Sequence, residues 1–181
     1  MRIISGEWRG RPLAAPEGQA TRPTSDRARE GLFSILASRI GSFEGLHVAD
    51  LFAGSGALGL EALSRGASHC LFIESDREAA AAIRRNVDAF AASARAEVKA
   101  QGVEHVGQPP RPHDILFLDP PYRSGLAAMA LARVGNAGWV VPGGHVSVET
   151  DGERLDMPHG FTVETERRFG KAFILLLRRE A

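Results

Sequence analysis

The spacing of apolar positions changes character along the chain. From Asp26 onward, Leu32, Phe33, Leu36 and Ile40 recur at helical spacing, and Gly41 stops the run. Thr24 or Ser25 can cap this helix, and Asp26 sits in its first turn, where the helix dipole favours an acid. Beyond Leu46, short apolar runs alternate with helical stretches. Strands are predicted at Leu46–Phe52, Cys70–Ile73, Ala96–Lys99, Asp114–Leu118 and His145–Glu149. Helices are predicted at Leu58–Ser64, at Asp76 to about Ala92 with Ile83, Val87 and Phe90 on one side, and at Leu126–Arg133. Phe161–Glu166 and Ala172–Leu177 read as a closing antiparallel pair. This alternation predicts an α/β fold, a mostly parallel sheet with helices on both faces. Between Gln101 and Pro112 three prolines replace the expected helical period, so the helix there is predicted to be missing or very short.

The first residues differ from this scheme. Arg2–Ser5 and Arg11–Ala14 read as two short strands around Gly6-Glu7-Trp8-Arg9-Gly10, a hairpin whose loop would lift Trp8 and Arg9 outward. A Pro/Gly/Thr-rich linker, ending in Arg22-Pro23-Thr24, joins it to the first helix. The expected division is an arm and linker over 1–24 and one domain over 25–181.

Composition narrows the classes. With 44% hydrophobic and 24% charged residues the chain is ordinary for a globular protein. Formal net charge is +0, so only its distribution is informative. Six arginines against three acids fall in residues 1–29, and residues 167–179 carry Arg167, Arg168, Lys171, Arg178 and Arg179 without an acid. These basic ends suit a phosphate-binding face or a solvated surface. The single cysteine, Cys70, excludes an internal disulfide and reads as a small core residue. No histidine has ligand spacing, so no metal is expected. With no apolar stretch of spanning length or signal core, a cytoplasmic location and no membrane partner are expected.

Two stretches carry chemistry. Asp50-Leu51-Phe52-Ala53-Gly54-Ser55-Gly56-Ala57-Leu58-Gly59 ends one strand and opens a helix, and Glu74 follows at the end of the next strand. Strand, glycine turn, helix, strand and acid is the arrangement for a nucleoside-bearing cofactor, with the acid on the ribose hydroxyls. Gly54, Gly56 and Gly59 satisfy a dinucleotide pattern, but Asp50 beside the turn would repel a pyrophosphate. A carboxylate there suits the cationic amino-acid end of S-adenosylmethionine; its other reading is a capping or turn acid. The second stretch is Asp119-Pro120-Pro121-Tyr122, directly after a buried strand. Two prolines stop the strand and leave the carbonyls of Asp119 and Pro120 as fixed acceptors. An exocyclic amine could donate to Asp119 and to the Pro120 carbonyl while its ring lies on Tyr122. Such an amine, buried in a nucleic-acid helix, has to be flipped out or unpaired. The plain reading is a strand-ending turn.

Together these stretches identify a family resemblance. Arg2-Ile3-Ile4-Ser5-Gly6 with Trp8-Arg9-Gly10, then Arg22-Pro23-Thr24 with Asp26-Arg27 and Arg29-Glu30, then Asp50–Gly59 and Asp119–Tyr122, resemble the bacterial small-subunit (16S) ribosomal RNA guanine-N2 methyltransferases, the RsmD-like group. The resemblance spans almost the full length. It implies a Rossmann-like class I methyltransferase fold with an N-terminal β-hairpin extension and a terminal antiparallel hairpin. It further implies S-adenosylmethionine as cofactor, and ribosomal RNA within an assembling small subunit as substrate. Asp119, Pro120 and Tyr122 take the amine-positioning and stacking roles. Asp50, Phe52, Ala53, Gly54, Ser55, Gly56, Glu74, Ser75, Gln101 and Gly102 are expected along the cofactor. Arg9, Arg11, Arg22, Thr24 and Arg123 are expected on the RNA.

Other residues have local readings. Arg29 lies one helical turn from Asp26 and reads as its ion-pair partner. Trp8 is a stacking residue or packs the hairpin on the body. Glu149, at a strand end, reads as structural. A monomer is expected. A DNA adenine-N6 methyltransferase uses the same corner, but the chain has no room for a separate target-recognition region. A non-catalytic RNA-binding or ribosome assembly factor is the alternative from another class, and intact Asp119 and Tyr122 speak against it.

Overall fold

The computed structural model describes residues 1–16, 26–136 and 138–181. Seven strands form one sheet: β1 (His47–Leu51), β2 (His69–Glu74), β3 (Ala96–Ala100), β4 (His113–Leu118), β5 (Val140–Thr150), β6 (Phe161–Phe169) and β7 (Ala172–Arg179). Their order is β3-β2-β1-β4-β5-β7-β6. The first five are parallel, and β7 runs antiparallel between β5 and β6. The helices are α1 (Asp26–Ile40), α2 (Ala57–Ser64), α3 (Arg77–Ala89) and α4 (Leu126–Asn136). The predicted α/β architecture and its terminal antiparallel pair are therefore present.

Strand alternation divides the core in two. Val48, Cys70, Phe72, Ile115 and Phe117 face α1, α2 and α3, where Phe33, Leu36, Leu60, Leu63 and Ile83 meet them. Ala49, Leu51, Leu71, Ile73, Leu116 and Leu118 face the other way, onto Ala130, Leu131 and Val134 of α4. Each large side chain buried in this way contributes about 1.5–3 kcal/mol. The proline-rich stretch yields only a one-turn 3-10 helix at Val103–His105. Val103, Val106 and Trp139 cover the sheet where a full helix would lie.

Helix ends follow local chemistry. Asp76 caps α3, its carboxylate accepting from the Ala79 N–H at 2.8 Å. Gly41, at φ +75°, closes α1, and its N–H donates to the Ala37 carbonyl. β5 starts five residues before its predicted start, because Pro142-Gly143-Gly144 reads as a break. Gly143 in fact holds φ +78° inside the strand, where the β4 register shifts.

The arm corrects one expectation. It forms a single antiparallel bridge, Arg2 with Pro12, instead of two strands. The Ile3 N–H donates to the Arg11 carbonyl at 3.0 Å, the Leu13 N–H to the Met1 carbonyl at 3.1 Å and the Gly10 N–H to the Ile3 carbonyl at 2.8 Å, while body side chains take up further backbone groups. Buried Glu61 accepts from the N–H groups of Ile4 (2.8 Å) and Ser5 (3.0 Å). Ser64 Oγ accepts from the Trp8 N–H at 3.0 Å. The Asn86 amide grips Ala14 at both its N–H and its carbonyl, and donates to the Ser55 carbonyl at 3.1 Å. Trp8 does not project outward. It is 3% exposed and stacks on Phe90, with ring centroids 4.9 Å apart. Among the described residues, no helix is long and apolar enough to cross a membrane.

Candidate active site

The carboxyl ends of β1, β2, β4 and β5 open into one cleft of about 700 Å³, within the size range of ligand sites. Register brings the two sequence motifs together. Leu51 of β1 pairs with Leu118 of β4, so Phe52 and Asp119 leave neighbouring strands side by side.

The glycine turn begins with strain. Phe52 holds φ +70°, which is uncommon for a residue with a side chain, and its N–H and that of Ala53 donate to the Ile73 carbonyl. Gly54 and Gly56 follow at φ +56° and +80°. Gly59 has a different reason: an added Cβ would stand 2.3 Å from the Phe72 ring and 2.5 Å from Cys70 Sγ. It lets α2 lie directly on β2.

Asp50 serves two ends. Its Oδ2 accepts from the Gly59 N–H at 2.9 Å, satisfying one of the free donors at the start of α2. Its Oδ1 is buried and has no hydrogen-bond partner among the described residues. Burial, opposed by the Gly59 hydrogen bond and reinforced by the Glu74 charge, pushes its carboxyl up to about 7. An ammonium group from a ligand would relieve both the orphaned oxygen and the raised pKa. Glu74 braces the turn: Oε2 accepts from the Gly54 N–H at 2.7 Å, and Oε1 from the Asp76 N–H at 2.8 Å. A carboxylate has about four acceptor sites, which leaves capacity for ribose hydroxyls.

Across the cleft, Asp119 and Tyr122 are half-buried and Pro120 is buried. Tyr122 donates its hydroxyl to Glu149 Oε1 at 2.6 Å. Arg123, at φ +55°, pairs through Nε with Asp151 at 2.7 Å. That hydrogen bond holds the Asp151 carboxyl below the usual range. Two acids from the end of β5 thus pin consecutive residues of the corner. Glu149, which reads as structural in the sequence, is 8% exposed and lines the cleft.

The cleft gathers Asp50, Phe52, Ala53, Gly54, Ser55, Glu74 and Ser75 with Asp119, Pro120 and Tyr122. Gly56, Gln101 and Gly102 do not line it; Gly56 packs near Ile83 and Leu60, while Val103 and Glu104 reach the cleft in place of Gln101 and Gly102. Three prolines hide this short turn from a period-based reading. Phe169 and Lys171, flanking the β6–β7 turn, also reach the cleft. Arg9 is exposed beside a small hollow with Arg2, Asp26 and Glu30. Arg11 lies over the Phe90 ring at 4.4 Å and donates to the Ala89 carbonyl. Arg123 is exposed beside Asp151. Arg22 and Thr24 lie outside the described residues. The Arg29–Asp26 pair is present at 3.1 Å.

The sheet order, the glycine turn and the Asp-Pro-Pro-Tyr corner at neighbouring strand ends define a Rossmann-like methyltransferase. The chain belongs to the family described as Conserved hypothetical protein 95, whose model matches residues 1–178. It is 38% identical to ribosomal RNA small subunit methyltransferase D of Escherichia coli strain K12 over 183 residues, covering 100% of this chain and 91% of the relative. The Haemophilus influenzae protein of the same name is 39% identical over 175 residues, covering 94% and 89%. Among solved structures, the candidate methyltransferase yhhF of Escherichia coli superimposes with a TM-score of 0.88 at 35% identity, over 100% of this chain and 98% of that one. A candidate methylase from Haemophilus influenzae gives 0.82 at 33% identity, over 100% and 99%. The resemblance read from the motifs is borne out.

Proposed function

We propose that this protein transfers a methyl group from S-adenosylmethionine to the exocyclic N2 amine of a guanine in small-subunit (16S) ribosomal RNA. The observation that carries the reading is the β1–β4 register, which sets the glycine turn with its buried Asp50 beside the Asp119 corner. The relatives named for small-subunit ribosomal RNA supply the substrate class.

S-adenosylmethionine, when bound, supplies a methyl group on a sulfonium. Asp50 Oδ1 would take its ammonium, Glu74 its ribose, and the exposed Glu104 carboxylate its adenine amine. Phe52, Ala53, Gly54, Ser55 and Ser75 would form the wall. Asp119 and the Pro120 carbonyl accept the two amine protons of the target base, so its nitrogen lone pair turns out of conjugation and toward the donor side. Tyr122 stacks under the base. A nitrogen–carbon bond forms as the sulfur–carbon bond breaks, and one amine proton is released. The protein's contribution is orientation and polarisation, with no covalent intermediate.

Arg9 and Arg11 of the arm, the Arg22-Pro23-Thr24 segment and Arg123 are placed on the RNA backbone. Residues 1–24 act as arm and linker and 25–181 as the catalytic domain. The protein acts as a monomer in the cytoplasm on an assembling subunit.

The test is transfer of labelled methyl from S-adenosylmethionine to small subunits that lack the modification, followed by digestion to nucleosides. N2-methylguanosine is expected. Methylated adenosine would overturn the substrate, and cofactor binding without transfer would overturn the enzyme reading.

A further inference from the structure

We propose that Glu149 is the residue that reads the target base as guanine, by accepting the N1–H that neighbours the reacting N2 amine. The inference rests on the guanine-amine reading above and adds a residue for base choice to it.

Register supplies the first part. Leu118 of β4 pairs with Val148 of β5, so Asp119 and Glu149 emerge together from adjacent parallel strands. Strand spacing puts their backbones about 5 Å apart. Both side chains line the same cleft. Glu149 is 8% exposed, uncommon for a glutamate at the end of a strand.

Its orientation is the second part. The Tyr122 hydroxyl donates to Oε1 at 2.6 Å, which ties the carboxylate to the rim of the ring on which the base would stack. A carboxylate can accept at both oxygens, up to about four bonds, so it can take a further donor while it keeps the Tyr122 bond and its other contacts.

Purine chemistry supplies the third part. The edge of guanine carries two donors side by side, N1–H and the N2 amine. Adenine carries an amine beside a bare N1 lone pair. Two carboxylates at neighbouring strand ends complement the first pattern. They oppose the second, because a lone pair would face a buried carboxylate with no proton between them. Asp119 and the Pro120 carbonyl handle the amine, and Glu149 checks the atom next to it.

The test uses small subunits reconstituted with ribosomal RNA carrying either guanine or 2-aminopurine at the methylated position. 2-Aminopurine keeps the same amine but has a lone pair at N1. The wild type should prefer guanine by roughly 10- to 100-fold in kcat/KM, the worth of a hydrogen bond to a charged group. Glu149→Gln keeps the shape and an acceptor for Tyr122 but places an N–H2 donor in the cleft. Its preference should collapse to within about threefold, with 2-aminopurine activity gained or held. Tyr122→Phe should lower activity on both bases and keep the preference. Equal use of the two bases by the wild type would overturn the proposal, and this arm stands even if Glu149→Gln does not fold. Loss of the same size on both bases in Glu149→Gln would also overturn it, since that is the signature of a residue that only steadies Tyr122. The underlying reading fails separately, if the wild type makes no N2-methylguanosine on guanine-bearing subunits.

Discussion

The two edges of the parallel sheet are built from the same strands and have opposite chemistry. At the amino edge, β1, β2 and β4 begin with His47, His69 and His113. At the carboxyl edge the same strands carry Asp50, end in Glu74 and lead into Asp119, and β5 adds Glu149. The histidines are spent on packing. His47 and His69 lie ring over ring at 5.8 Å, and His113 stacks on Trp139 at 5.6 Å. Burial lowers the pKa of all three, with Arg111 adding to the effect in each case. The acids are arranged around open space instead, and one oxygen of Asp50 is left without a partner among the described residues. Each edge keeps one buried polar atom without a partner among the described residues, His47 Nδ1 and Asp50 Oδ1, but only Asp50 lines a cleft that a ligand can enter.

The sharpest break in this comparison is Asp119→Ala. It should reduce kcat by roughly 10²–10³-fold, as expected for a lost polarising group. S-adenosylhomocysteine affinity should stay within about twofold, as read by calorimetry.

Asp50→Asn should weaken S-adenosylhomocysteine binding by roughly 10- to 100-fold, the worth of a charge-assisted contact. Here pH gives a signed check. The folded carboxyl holds its proton up to about 7, against 3.8 for the ordinary value. Asp50 therefore favours folding below about 4, and this is lost as pH rises through 7. Binding of a cationic ligand runs the other way, tightening as Asp50 ionises through 7. Asn at this position should abolish that pH dependence. It should also make the ligand-free protein more stable at pH 8, by on the order of 1–4 kcal/mol.

Gly59→Ala forces a methyl into Phe72 and Cys70. It should cost about 1–3 kcal/mol in a urea titration, from overpacking.

The smallest effect belongs to the histidine edge. His113 is held down to about 4 by burial, so its contribution is present above 6.5 and lost as pH falls toward 4. His113→Phe keeps the stack on Trp139, and should shrink the stability difference between pH 7.5 and pH 5 while methyl transfer at neutral pH is unchanged.

Local chemistry made much of this legible in the sequence. The glycine turn, Glu74 and the double proline are each set by a few consecutive residues, so their strands and turns could be read directly. What depends on register could not. Glu149 meets Tyr122 across 27 residues, and Phe169 and Lys171 arrive by the turn of β6 and β7. For Trp8 the sequence leaves outward stacking and packing on the body both open, because its partner Phe90 lies at the far end of α3; the structure shows packing, and the same ring holds Arg11. The resemblance implies Gln101 along the cofactor, and Glu104 reaches the cleft instead because the short helix at Val103–His105 leaves no period to read.

The most direct measurement is a crystal structure with S-adenosylhomocysteine bound. The account predicts its ammonium on Asp50 Oδ1, its ribose on Glu74 and its sulfur facing Asp119. A ligand seated elsewhere, or in this cleft with its sulfur turned away from Asp119, would contradict it.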